Sequence, residues 1–375
     1  MRVALFAHRI AQDQPTGIGR YLRELTAALS QLTDEGMQLV LTSAREAGNP
    51  RWVKPPVQSR ILSGPRDLLY AAWCLGRGPH LERTLGGVDV THLIQPFPPV
   101  RTSSAIVLTV HDLFPLEFPH WYPPSERWTF RRSIHLAVRR KALFAVPSRY
   151  VADHLIRISG VRSDRIVVVP HGVSSTFSTP RTAEEIERIC SKFGLEPGRF
   201  AVSLGALEAR KNTVPLIRGL AELDGGNIPL LLVGPDGRGT AAVNSEIHRQ
   251  DAKVKVIRAG YLGDEEVAGL VQGAAVLVHP AVAEGFGLVP LEAMAAGTPV
   301  IATRSSSIPE VVDEAGVLIE DPASTSAWAD ALRKVIGDAD YRASLAVAGE
   351  QRAAQFSWQH AAKTMLEIYR DAAGA

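Results

Sequence analysis

The chain has 375 residues, 46% of them hydrophobic and 21% charged, with a formal net charge of +2. That length carries a prior of two domains, and the apolar share is enough to build substantial cores. So small a charge excess gives no warrant for a nucleic-acid partner. Cys74 and Cys190 are the only cysteines and stand far apart, which argues against a disulfide framework or a cysteine metal site and makes a reducing cytosol the expected compartment.

The N-terminal run MRVALFAHRI is too short for a signal peptide and reads as a first strand. No apolar run approaches the roughly 20 residues that cross a bilayer. Apolar runs then alternate with amphipathic helical patterns from end to end, the rhythm of parallel sheets built from βαβ units. In the first half the expected strands are Arg2–Ala7, Leu39–Thr42, Val88–His92, Ile106–Val110, Leu143–Val146 and Ile166–Val169. Helices are expected at Ile18–Ser30, Arg66–Leu75, Glu126–Lys141 and Tyr150–Ser159. The second half repeats this with strands Phe200–Leu204, Pro229–Val233, Val254–Ile257, Val276–His279, Pro299–Thr303 and Val317–Glu320. Helices fall near Thr213–Leu223, Ala241–Asp251, Asp264–Gln272, Leu288–Ala296 and Ala327–Ile336.

The stretch Pro170–Thr182, rich in Pro, Gly, Ser and Thr, reads as a linker. It divides the chain into two doubly wound α/β domains, 1–175 and 176–357, expected to face each other across a central cleft. The last helix, 358–375, is expected to cross back to the first domain. Two proline- and aromatic-rich stretches, Ile94–Arg101 and Phe114–Pro124, are expected to be loops.

Candidate chemistry sits where strands end. After the first strand, Gly17-Ile18-Gly19 opens a helix, where backbone can approach a phosphate or a hydroxyl-rich group. A dinucleotide fingerprint fails there, because Leu22 stands at its third glycine position. His111 follows the strand AIVLTV and can exchange hydrogen bonds near neutral pH; a loop histidine paired with Asp112 is the plainer reading. Arg210 and Lys211 follow AVSLG, and two adjacent cations there would neutralise a diphosphate without a metal.

Glu284, the turn Gly285-Phe286-Gly287, a helix opening at Leu288-Val289, and Glu292 form the densest constellation. A loop opening a helix presents free N–H groups and a positive dipole end to an anion. The two carboxylates invite a glycosidase reading, but eight helical positions span roughly 8–12 Å, against about 5–5.5 Å for retaining hydrolases. They are better read as grips on two places of one long ligand. The helix 126–141, carrying Arg127, Arg131, Arg132, Arg139, Arg140 and Lys141, is either a solvated face or a contact for acidic lipid headgroups. No His/carboxylate cluster has metal-ligand spacing.

The run EGFGLVPLEAMAAGTPVIAT resembles the E-x7-E motif of retaining glycosyltransferases of family 4, which have the GT-B fold of two Rossmann-like domains. GIGRY, HDLFP, PSRYVADHL, VVVPHGV, GALEARKN, LLLVGPDG and AGYLGDEEVAGLVQGA support it in order along nearly the whole chain. The resemblance implies a metal-independent hexosyltransferase without a cofactor, using a nucleotide sugar such as GDP-mannose or UDP-glucose. It implies a glycan, lipid-linked or small-molecule acceptor, in bacterial surface polysaccharide or glycoconjugate synthesis. The enzyme would be cytoplasmic, with peripheral contact to the inner membrane face left open. By position, Glu284 with Gly285, Phe286 and Gly287 would hold the donor sugar, and Leu288 and Val289 the diphosphate. Glu292 would hold the ribose, Lys211 and Arg210 the phosphates, and Tyr261-Leu262 would lie along the base. Gly17 and Gly19 would lie against the diphosphate, and His111 would contact the transferred sugar. Ala206 stands where many members carry an arginine, and Arg210 is the nearby replacement. A nucleotide-sugar epimerase and a non-catalytic nucleotide-sugar-binding protein are the alternatives.

Overall fold

The computed structural model describes residues 1–7, 17–32, 36–44, 52–53, 55–223 and 228–374. Most of the stretch between the first strand and Gly17, residues 8–16, therefore lies outside the described residues. The chain forms two compact units, one of residues 1–172 rejoined from Ser357 onward, the other Val173–Phe356.

In the first unit, strands β1 (Arg2–Phe6), β2 (Gln38–Ala44), β3 (Gln58–Leu62), β4 (Val90–Leu93), β5 (Ala105–Thr109), β6 (Leu143–Val146) and β7 (Ile166–Val168) make one sheet in the order β3-β2-β1-β4-β5-β6-β7. All neighbouring pairs are parallel. Both faces are covered, so the strands read as near-continuous apolar runs. Alternate side chains of β1 serve different cores: Val3 and Leu5 face helix α1 (Gly17–Ser30), while Ala4 and Phe6 face α2 (Arg66–Cys74) and α3 (Pro124–Arg139). Helix α4 (Arg149–Ser159) starts on the Ser148 hydroxyl, which accepts from the Val151 N–H at 3.2 Å.

The second unit opens with α5 (Ala183–Ser191), started by a reciprocal capping box between Thr182 and Glu185. Its sheet holds β8 (Ala201–Leu204), β9 (Leu230–Val233), β10 (Val256–Gly260), β11 (Val276–His279), β12 (Val300–Thr303) and β13 (Val317–Ile319), all parallel, in the order β10-β9-β8-β11-β12-β13. Its longer helices are α6 (Thr213–Ala221), α7 (Thr240–Gln250), α8 (Asp264–Gly273), α9 (Leu288–Ala295), α10 (Thr325–Gly337) and α11 (Ala339–Ala353), with a short helix at Ile308–Val312. The final helix α12 (Trp358–Gly374) belongs to the first unit, where Trp358, Met365, Leu366 and Tyr369 join the core of α1 and β1.

Each sheet reverses strand order once, between β1 and β4 and between β8 and β11. Open α/β sheets bind ligands at the carboxyl ends of the strands beside such a reversal. Both features that position the candidate site therefore follow from the βαβ rhythm.

Several expectations need correction. The stretch 170–182 is more than a linker: the units part after Gly172, and Ser175–Ser178 is a helical turn whose Phe177 is fully buried in the second unit's core. One apolar anchor outweighs the polar composition around it. The stretch 114–124 holds a helical turn, Phe114–Glu117, and a 3₁₀ turn, Pro119–Trp121. Proline within the first two positions of each suits a helix start, where its missing N–H costs nothing. By contrast 94–101 carries neither helix nor strand. Strand β3 and helices α5 and α11 escaped the pattern reading. β3 lies at a sheet edge with only Leu62 fully buried, and few of the residues of α5 and α11 are buried, so their apolar stripes are narrow.

Candidate active site

In the second unit the loops after β8 and β11 meet at the strand-order reversal. Glu284 Oε1 accepts from Lys211 Nζ at 2.6 Å and from Arg210 Nη1 at 3.0 Å. Arg210 Nη1 also reaches the Ala283 carbonyl at 3.2 Å. The Glu284 side chain is 16% exposed and that of Lys211 13%. Burial alone would push the Glu284 pKa up, but the Lys211 and Arg210 cations outweigh it and hold the carboxyl well below the usual range. Lys211 moves down, because its own burial and the Arg210 charge together exceed the pull of Glu284. One carboxylate against two cations leaves this corner positive.

Two further groups complete the corner. His279, the last residue of β11, is 1% exposed, and its Nε2 lies 3.4 Å from Glu284 Oε1 without hydrogen-bond alignment. Burial and the nearby Lys211 charge push its pKa down, so it stays neutral near pH 7. Gly205, at the end of β8, has φ +129°, and a Cβ there would sit 3.0 Å from Lys211 Cε. The glycine is what lets the lysine side chain lie across the strand end.

The loop carrying Glu284 is held from both sides. The Val282 N–H donates to the Arg210 carbonyl at 2.9 Å, and the Glu284 N–H donates to Ser306 Oγ at 2.8 Å. The Ser307 hydroxyl reaches the Glu284 carbonyl at 2.7 Å and the Phe286 carbonyl at 2.9 Å. Gly287 then takes φ +113° and starts α9 with no side-chain cap. Leu288 and Val289 occupy its first turn, at the positive end of the dipole, where N–H groups lack intrahelical acceptors. Glu292, one turn on, is 1% exposed. Tyr261 and Leu262 follow β10 at the sheet edge, with Tyr261 exposed.

In the first unit, His111 stands just beyond β5 and donates from Nε2 to the Ile94 carbonyl at 3.0 Å. A carbonyl only accepts, so Nε2 carries the proton and Nδ1 the lone pair. Burial pushes the pKa down to about 4, against the opposing pull of that carbonyl. The ring meets the edge of Tyr21, on α1, at 4.6 Å. Tyr21 thus ties the helix opened by Gly17 and Gly19 to His111. Its hydroxyl is 3.0 Å from Thr109 Oγ1, which is 2.7 Å from His92 Nε2, and His92 Nδ1 is 2.7 Å from the Tyr369 hydroxyl on α12. All four side chains are buried. Burial and the His111 charge lower the His92 pKa to about 3.

The structure therefore brings Arg210, Lys211 and Glu284 into direct contact and sets Gly285–Val289 beside them. His111, Gly17 and Gly19 belong to the other unit, joined through Tyr21. The sequence reading missed His279, Ser306, Ser307, Tyr21 and His92. A histidine ending a buried apolar strand was the available signal for His279, and the run RSSS for the two serines.

Residues 186–352 match the family described as "Glycosyl transferases group 1", and residues 15–177 match "Glycosyltransferase Family 4". The chain is 29% identical to the O-antigen chain mannosyltransferase B of Escherichia coli, over 98% of this chain and 99% of that one. It is 33% identical to a D-inositol 3-phosphate glycosyltransferase of Nocardia farcinica, over 83% of this chain and 68% of that one. The fold matches a crystal structure of Anabaena Alr3699/HepE in complex with UDP-glucose, with a TM-score of 0.77, 19% identity, and coverage of 99% and 100%.

Proposed function

We propose that this chain, which belongs to glycosyltransferase family 4, transfers a hexosyl group from a nucleoside-diphosphate sugar to a hydroxyl of a glycan, lipid-linked or small-molecule acceptor, with retention of anomeric configuration and without a metal. The observation that carries the reading is the shared hold of Lys211 and Arg210 on Glu284 Oε1, at 2.6 and 3.0 Å, beside the open first turn of α9. Breaking a sugar–phosphate bond leaves growing negative charge on the diphosphate and positive charge on the sugar. Lys211, Arg210 and the Leu288 and Val289 amides are assigned the first compensation, and the Glu284 carboxylate the sugar hydroxyls.

These two cations supply the charge that a divalent ion supplies elsewhere, which is the ground for proposing metal independence. The acceptor proton passes to the departing phosphate on the same face, so no enzyme nucleophile is needed. Glu292 is assigned to the ribose hydroxyls, and Tyr261-Leu262 to the base. In the first unit His111 is assigned to the transferred sugar as a neutral hydrogen-bonding group. Mannosyl and glucosyl donors, GDP- or UDP-linked, lead the candidates; the Escherichia coli relative is named as a mannosyltransferase and the Anabaena structure holds UDP-glucose.

A thermal-shift screen of GDP- and UDP-sugars tests the donor: at about 100 times Kd a true donor adds about 2.7 kcal/mol of stability. The identified donor is then offered with oligosaccharide acceptors and EDTA, and the product anomer is read by NMR. An α-linked product from an α-linked donor, formed in EDTA, is the expected result. An inverted product, a trapped covalent glycosyl-enzyme, or donor turnover that needs no acceptor would overturn the mechanism.

A further inference from the structure

The connection between β4 and β5 is unusual for parallel neighbours, which are normally joined by a helix lying on the sheet. Residues 94–104 contain Pro96, Pro98 and Pro99 and form no helix. The sheet face over Leu93 and Ile106 packs against Val100 of this connection and, from the flanks, against α2 and α3. Between them lies a groove of about 420 Å³, within the ~300–1,000 Å³ range of small-molecule sites.

Its floor is apolar, made by Trp73, Val100, Ile106, Leu136 and Ala137. The polar groups among its walls are engaged by the protein. The Trp73 indole N–H donates to the Pro79 carbonyl at 2.9 Å, the Ser133 hydroxyl donates to the Thr129 carbonyl at 2.9 Å, and the Thr102 hydroxyl donates to the Glu82 carboxylate. Arg101 and Arg140 also line the groove. Arg101 donates to the Gly78 carbonyl at 2.9 Å and Arg140 to the Thr102 carbonyl, each through one of the five N–H donors of a guanidinium. The nearby Glu82 carboxylate accepts the Ser103 N–H at 2.8 Å and the Ser104 N–H at 3.1 Å, and its charge offsets one guanidinium, leaving the pair of arginines with a net positive charge. Along the outer side of the same two helices, Leu68, Leu75 and Trp128 are 69%, 67% and 54% exposed, and the Arg132 Nε ties α3 to the Cys74 carbonyl at 2.5 Å. An apolar trough lined also by two guanidiniums complements an amphiphile with a compact anionic head.

We propose that this groove binds a single-chain lipid phosphate, its alkyl chain on the Trp73–Ala137 floor and its phosphate at Arg101 and Arg140. The site lies wholly within the first unit and does not depend on the transfer reaction. The test is calorimetric titration of the full chain with alkyl phosphates below their critical micelle concentration. Decyl phosphate should bind about tenfold more tightly than octyl phosphate, the effect of two further buried methylenes. It should also bind at least about tenfold more tightly than decanol, as a charge-assisted contact requires. R101Q with R140Q should abolish the preference for phosphate over decanol, and A137W should block both ligands, with circular dichroism and Tm checking that each variant folds. If A137W does not fold, the arginine pair carries the test. The proposal fails if decyl phosphate does not bind, if decanol binds equally well, if the folded A137W binds normally, or if only phosphatidylglycerol vesicles bind, which would mark a membrane-adhesive surface instead.

Discussion

The two units build their strand-end chemistry by opposite means. In the second, Glu284, Lys211 and Arg210 stay charged inside a mostly buried corner because each compensates another. In the first, His111 and His92 are stripped of charge by burial, and what holds the region together is a chain of neutral hydrogen bonds through Tyr21, Thr109 and Tyr369. Similar sheets thus present an electrostatic site and a hydrogen-bonding site. The reason is local: the loop after β8 supplies two adjacent cations, whereas the segment after β5 supplies a single imidazole backed by a carbonyl.

The sharpest way to break this contrast is to remove charge from the second unit. Glu284→Gln should lower transfer by about 10²–10³ and remove the negative charge that Lys211 and Arg210 share. A double-mutant cycle with Lys211→Met should give strongly non-additive losses in stability and in kcat/KM. Additive losses would mean that the contact does not matter energetically.

Acid should separate the units next. His92 has its folded pKa near 3, below its unfolded value. Its stabilising share is therefore full above about pH 6.5 and is lost as pH falls through the folded value, on the order of 5 kcal/mol in all. His111, with a folded pKa of about 4, acts in the same direction. Glu284 is also depressed, so its share is present above the unfolded carboxylate value, about pH 4.3, and is lost only below it. His279, also depressed by burial, gives the second unit one contribution of the histidine kind. Thermal unfolding scanned from pH 7 to 4 should therefore weaken the first unit before the second, and His92→Asn should flatten that slope. Equal loss in both units, measured by hydrogen exchange, would contradict the assignment.

Smaller effects follow for the neutral network. His111→Ala should cost kcat about 10²-fold, at the low end for a positioned hydrogen-bonding or acid–base group. Tyr369→Phe, which removes one buried hydrogen bond to His92, should cost about 1 kcal/mol in Tm-derived stability and leave donor binding unchanged.

Much of this was legible in the chain itself. Near-continuous apolar strands alternating with amphipathic helices can be satisfied only by parallel sheets covered on both faces, so the two α/β units and most element positions follow from periodicity. The expectation that Glu284, Arg210, Lys211 and the turn at Gly285–Gly287 matter came from their places at strand ends and a helix start. What periodicity could not show is which of these groups touch. Arg210 and Glu284 lie on different βα loops, and only the strand order β8-β11 makes the loops neighbours. The role of Ser306 and Ser307 as clamps and the link from Gly17 and Gly19 through Tyr21 to His111 are equally tertiary. So is the groove left open by a crossover without a helix. A strand's pattern records that it is buried; which strand lies beside it is decided by the packing of the whole sheet.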